Sequence, residues 1–265
     1  MDFRYCIIVI LGRVVNLASP AHFIKRKVAS NSKPTQYQTT AAFYQTSQLL
    51  IMNSILHASY LNQQGASLLL EGDVEKAAPF FRKALEIIQV DFPNLLSAPL
   101  PPLSTATVGD VRRGQISRPL ETSKAFVYFK PFFFNQNTIF NEHEIGAYLA
   151  IMTYNLALCY QLEAHSFQDG GRVLNRAKML YQNVLDLLNN AWQHDCSNVI
   201  IASLNNLAAL FVELSEHHDA CKILALLSAF LNEEGVRTDT LDKSDLRDII
   251  LNVCLIPFPT CAEAA

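Results

Sequence analysis

The sequence predicts a mainly α-helical protein, a short α-solenoid of about three helical hairpins. Two observations predict it. Large apolar residues recur at helical spacing in three separate segments, about 58–91, 147–190 and 202–233. In each segment the pattern breaks near the middle, at a turn, and small residues stand where two helices would have to approach closely. Composition agrees: 50% of the residues are apolar and 17% charged, against a usual charged share of about 25%. Such a chain buries a core and is not disordered throughout.

The first hairpin reads ASYLNQQGASLLLEGDVEKAAPFFRKALEIIQVD, Ala58 to Asp91. Leu61, Leu68 and Leu69 mark one helix; Phe80, Phe81, Leu85 and Ile88 mark the next. Gly72 supplies a permissive turn, and Asp73 is placed to cap the second helix, whose first turn carries Glu75. In the second hairpin, Tyr154 to Ala164 is followed by Arg176 to Leu188 after a longer turn around SFQDGG. The third spans Leu204 to Phe230. Residues 40–57 read as helix running into the first hairpin, and 240–258 as a C-terminal cap.

These positions carry a resemblance. Gly65, Leu68, Ala77, Phe81 and Ala84 are similar to the small–large–small–large–small signature of the tetratricopeptide repeat (TPR), a helical hairpin of about 34 residues. Leu156, Ala157, Tyr160, Ala177, Tyr181 and Val184 resemble a second copy, and Leu207, Ala208, Phe211, Ala220, Leu224 and Leu227 a third. Gln64 departs from the pattern, and the proline that ends a repeat is missing. The rival is three unrelated amphipathic helix pairs. More distantly, an aromatic strand between the first and second repeats, the N-L-A motif at Asn155 to Ala157 and an apolar C-terminal tail ending in small residues resemble a group of algal TPR proteins to which no activity is attached.

Between the first two hairpins lies an insert, 92–145. Its first part, Phe92 to Ser123, holds Pro93, Pro99, Pro101, Pro102 and Pro119 and reads as loop. Then comes AFVYFKPFFF, Ala125 to Phe134. Lys130 and Pro131 interrupt it, it is too short to span a membrane, and proline and aromatics disfavour helix, so it reads as an extended strand. A strand needs a partner. The expected partner is 249–256, giving a small two-stranded β-ribbon of 124–134 with 249–256. The alternative is a final helix capped by Ser244 with Leu246, Ile250 and Val253 facing inward.

Residues 1–39 read as a disordered or targeting extension, and 40–265 as one helical domain. Residues 1–70 carry six Lys or Arg and one Asp, net +5, and the remainder is net −8. An acid-poor N-terminus suits an organelle transit peptide; Cys6 to Gly12 followed by Ala18 to Ala21 suits a secretory signal. The six cysteines form no C-x-x-C pair, which fits a reducing, cytoplasmic setting. No run of 18 uncharged apolar residues suggests a membrane span. The acidic body is a poor match for nucleic acid, which selects Lys and Arg.

Three clusters invite catalytic or metal readings. Glu216, His217, His218, Asp219 and Cys221 sit together, with His217 and Cys221 one helical turn apart, but on a hairpin turn where such residues ordinarily cap. Glu142, His143 and Glu144 open the second hairpin, and His194 lies near Cys196. None completes a ligand set or a nucleophile–base pair, so no enzyme activity, metal or cofactor is expected. The expected function is a non-enzymatic interaction module, a scaffold or adaptor binding a protein or peptide through its concave groove or aromatic edge; the alternative class is a helical-repeat RNA factor. By the resemblance, the groove would present Asn62, Leu69, Ile151, Tyr154, Leu158, Gln161, Asn205 and Val212. It has no Lys or Arg, unlike the TPR proteins that clamp a terminal carboxylate. The rival to an open groove is one filled by the insert or the N-terminal segment.

Overall fold

Among the described residues the helical periodicity is realised as seven helices, with no strand. The computed structural model describes residues 35–91, 125–134, 145–164, 170–189, 196–233, 238 and 241–255. The proline-rich part of the insert, most of the N-terminal extension and the Asn141–Glu144 cluster lie outside them.

The helices are α1 (Thr35–Leu70), α2 (Val74–Asp91), α3 (Ile145–Ala164), α4 (Gly170–Asn189), α5 (Ser197–Glu213), α6 (His217–Leu231) and α7 (Lys243–Leu255). Each packs on the next, and α1 and α5 also touch α3. The three expected hairpins are thus α1–α2, α3–α4 and α5–α6. Helix α1 begins five residues inside the expected extension, because nothing between Thr35 and Leu70 breaks a helix.

Two of the turns are the same device. At the end of α1, the Asp73 amide donates to the Leu68 carbonyl and the Gly72 amide to that of Leu69. At the end of α5, Glu216 donates to Phe211 and Ser215 to Val212. Both are Schellman closures, which need a left-handed residue at their centre. Gly72 takes φ 83° without strain, whereas Ser215 takes φ 62° and pays a Cβ penalty. Asp73 then caps α2, accepting from the Lys76 amide at 3.3 Å.

Close approach explains the small residues. A Cβ on Gly65 would lie 2.8 Å from the Phe81 ring, which is itself fully buried. Ala77, Ala84, Ala157, Ala177, Ala208 and Ala220 are likewise buried at the helix contacts. Helix α3 stands at the centre, with 15 of its 20 residues buried. By length and composition alone it meets the requirement for a membrane span; 78% of that window is buried inside the fold, which accounts for its apolar character.

The expected β-ribbon is not formed. Residues 125–134 are extended, but 249–255 belong to α7. Leu246, Ile249 and Val253 recur at helical spacing and pack inward, and Asp245 favours the first turn of a helix. Ile250, on the other side, is 43% exposed.

Ser215→Gly is expected to stabilise the protein by about 1 kcal/mol in urea denaturation, because glycine removes the left-handed penalty. Gly65→Val is expected to destabilise it by about 2 kcal/mol by overpacking against Phe81.

Candidate functional site

An extended backbone exposes one N–H and one C=O per residue, and burial requires that each find a partner. In Ala125–Phe134 the partners are not another strand. They are side chains from the first helix of every hairpin and from α7.

Three asparagines make matched pairs of bonds. Asn252 accepts from the Phe126 amide at 2.8 Å and donates to the Phe126 carbonyl at 2.7 Å. Asn206 does the same for Tyr128, at 2.7 and 3.0 Å. Asn155 does so for Phe132, at 2.9 and 2.8 Å. A carboxamide has the acceptor and donor of a peptide group, so each asparagine stands in for a residue of a neighbouring strand.

Each carbonyl also receives a second donor. Asn205 reaches Phe126 at 3.0 Å, the Tyr154 hydroxyl reaches Tyr128 at 3.1 Å, and Asn62 reaches Phe132 at 3.3 Å. Gln63 extends the series to the Phe134 carbonyl at 2.9 Å. The arrangement repeats along the stack. Asn62, Tyr154 and Asn205 each lie three residues before Gly65, Ala157 and Ala208; Gln63, Asn155 and Asn206 lie two before. The first position of one helix and the second position of the next helix converge on one carbonyl: Asn62 with Asn155, and Tyr154 with Asn206. Asn205 converges in the same way with Asn252, so α7 supplies a fourth clamping position. The segment therefore runs from α7 and α5 at Phe126 to α1 at Phe134.

The amides are cross-linked. Asn155 donates to Asn62 at 2.9 Å, Asn205 to Asn206 at 3.1 Å and Asn252 to Asn205 at 2.6 Å. Behind them Asn206 donates to the hydroxyl of Tyr181 (3.0 Å), the Tyr154 hydroxyl lies 3.3 Å from the same nitrogen and shares its two hydrogens, and Tyr181 donates to Gln161 at 3.0 Å. Asn62, Asn155, Asn205, Asn206 and Asn252 are all buried. Burial raises the pKa of Tyr154 and Tyr181 well above the usual tyrosine value, as it does for the thiol of Cys159.

Aromatic packing holds the segment's other surfaces. Tyr128 stacks on Phe132 at 5.8 Å, Phe132 meets Tyr154 edge-on at 4.9 Å, and Phe134 lies 4.7 Å from Tyr148. Tyr128 and Phe134 are buried, while Phe129 and Phe133 are 40% and 43% exposed. Lys130 projects to α7, where its Nζ bonds Asp242 and, at 2.7 Å, Asp245. The hydrogen bonds to Asp242 and Asp245 raise its pKa.

Of the eight residues expected on the groove face, Asn62, Tyr154 and Asn205 bond the segment. Gln161 reaches it only through Tyr181, and Leu69 and Leu158 are buried in the core. Ile151 and Val212 are half-buried against that core. Gln63, Asn155, Asn206 and Asn252 went unrecognised; a carboxamide at the same place in all three first helices is the signal that would have found the first three.

The other clusters are engaged differently. Glu216 accepts from Lys178 at 2.8 and 2.9 Å, and Asp219 pairs with Lys222 at 2.9 Å. No group of three or more His, Cys, Asp or Glu side chains is arranged to hold a metal among the described residues. Trp192 to Asp195 lie outside them. No protein-family model, curated protein or solved structure matches the chain.

Asn206→Ala would strand the Tyr128 amide, take one of two donors from the Tyr128 carbonyl and loosen two buried hydroxyls. It is expected to cost about 3 kcal/mol by urea denaturation. At alkaline pH, Tyr154 and Tyr181 bind their protons more tightly in the folded state than in the unfolded one. Their contribution to stability is full below pH about 10 and is lost as pH rises above it. Absorbance at 295 nm should therefore show these tyrosines ionising only as the fold is lost.

Proposed function

We propose that the chain is a non-enzymatic, TPR-like α-solenoid whose groove binds an extended peptide, and that Ala125–Phe134 occupies that groove in cis. The observation that carries this reading is the bidentate pairing of Asn252, Asn206 and Asn155 with Phe126, Tyr128 and Phe132. Bonds to backbone do not depend on which side chains the peptide carries, so the same ladder accepts another extended segment. The consecutive packing of the helices and the recurring carboxamide position support the repeat architecture. The two alternatives left open by the sequence, a peptide-binding groove and a self-filled one, then become two states of one site. A partner competes with a tethered segment whose effective concentration is about millimolar. The groove is therefore reserved for a ligand that binds tightly or is locally concentrated.

The test uses a labelled synthetic peptide of residues 124–135 with a hydrophilic tail. It is titrated into the full chain carrying Tyr128→Pro and Phe132→Pro, which removes two amide donors from the resident segment. Saturable binding by fluorescence anisotropy is expected. Binding should be at least tenfold weaker with the unsubstituted chain, where the resident segment competes. It should be lost when Asn155→Ala and Asn206→Ala are added. Absence of saturable binding to a substituted chain that keeps its helical circular dichroism would overturn the reading.

A further inference from the structure

Backbone clamps set direction and extension but leave side-chain preference to the walls of the groove. The walls are uneven. Phe126, Tyr128, Phe132 and Phe134 meet aromatic and apolar neighbours, whereas Lys130 alone in the segment carries charge. It faces two carboxylates from one place, the start of α7. Asp242 has a side chain 68% exposed; that of Asp245 is 15% exposed and is held 2.7 Å from the ammonium. The pair lies close to the clamp itself, since Asn252 is on the same helix.

We propose that the ligand for this groove is an extended peptide with a Lys or Arg flanked two residues away on each side by aromatic side chains, seated with its N-terminal end at α7. The inference rests on the groove reading above and adds its selectivity. Three features of the site support it. The amide ladder fixes polarity, because Phe126 is held by α5 and α7 and Phe134 by α1. The rings of Tyr128 and Phe132 stack on each other, and Phe132 meets Tyr154 edge-on, so aromatic residues at those two places fill an existing surface. Midway between them, Lys130 bonds Asp242 and Asp245, both acidic. A neutral residue there leaves two carboxylates facing a peptide with no cation, and an acidic residue meets repulsion. Because the pair is partly exposed, it discriminates modestly at physiological salt and more strongly at low salt.

The experiment extends the titration described above, with the same full-length acceptor carrying Tyr128→Pro and Phe132→Pro. Four labelled peptides of residues 124–135 are compared: unchanged, Lys130→Arg, Lys130→Ala and Lys130→Glu. The Arg peptide should match the unchanged one within about twofold, and the Glu peptide should bind about tenfold more weakly at low salt, with the gap narrowing as salt rises. Adding Asp242→Lys and Asp245→Lys to the acceptor should reverse the order. If the unchanged peptide binds but all four have equal affinity, the charge selectivity is wrong and the groove reading survives. If none binds a helical acceptor, the groove reading itself fails. Should the double-proline acceptor lose its helical signal, the Tyr128→Pro chain is used with the same four peptides and the same criteria.

Discussion

The organising constraint is the pairing of buried peptide groups on an extended segment that has no sheet. Ala125–Phe134 is too rich in rings and valine to be stable in water and too interrupted to be helical. Once laid across helices, its amides and carbonyls have no ladder to join, because helical backbone is already bonded to itself. Side chains must supply both halves of each bond. Asparagine and glutamine are the residues that carry an acceptor and a donor in one planar group. Their recurrence at one place in α1, α3 and α5, and again at Asn252, follows from that requirement.

The amides carry a burden of their own, since each is a polar group removed from water. The asparagines resolve it by bonding the segment and one another. Three segment carbonyls take two donors each, and the asparagines bond one another and two tyrosines. A cross-linked network of this kind defines one register, because sliding the segment by one residue would point its peptide groups away from every clamp. The groups are neutral, so the register is indifferent to acidity across the ordinary range. Charge enters at a single place, where Lys130 meets Asp242 and Asp245.

Most of the helical framework was legible from apolar periodicity. The hairpins, the Gly72–Asp73 turn and the small residues at the contacts all follow from spacing and sterics. The non-helical course of Ala125–Phe134 was legible too, from its rings and Pro131, though no strand is formed there. Its partner was not. A search for strand partners looks for another apolar run, and 249–256 satisfied that search while also carrying helical spacing. The true partners are polar residues on apolar helices, where asparagine reads as an isolated exception. Asn62, Tyr154 and Asn205 lie on the helix face that the repeat resemblance marks as the groove. Gln63, Asn155 and Asn206 lie one residue to the side, and the clamp draws on both rows because it is shared between adjacent helices. Ser215 was equally hidden, since only the bonded turn shows that a left-handed residue is needed there.

Stacked hairpins ordinarily touch only their neighbours, so each can form as soon as it leaves the ribosome. Here the bond between Phe126 and Asn252 joins residues 126 positions apart. It binds a piece from the middle of the sequence to α7. Phe126 must wait for its clamp until α7 has been made, and loop closure over that distance slows this step relative to the local hairpins. The described helices are laced together, so that fraying at α7 or at α1 tugs on the same cord.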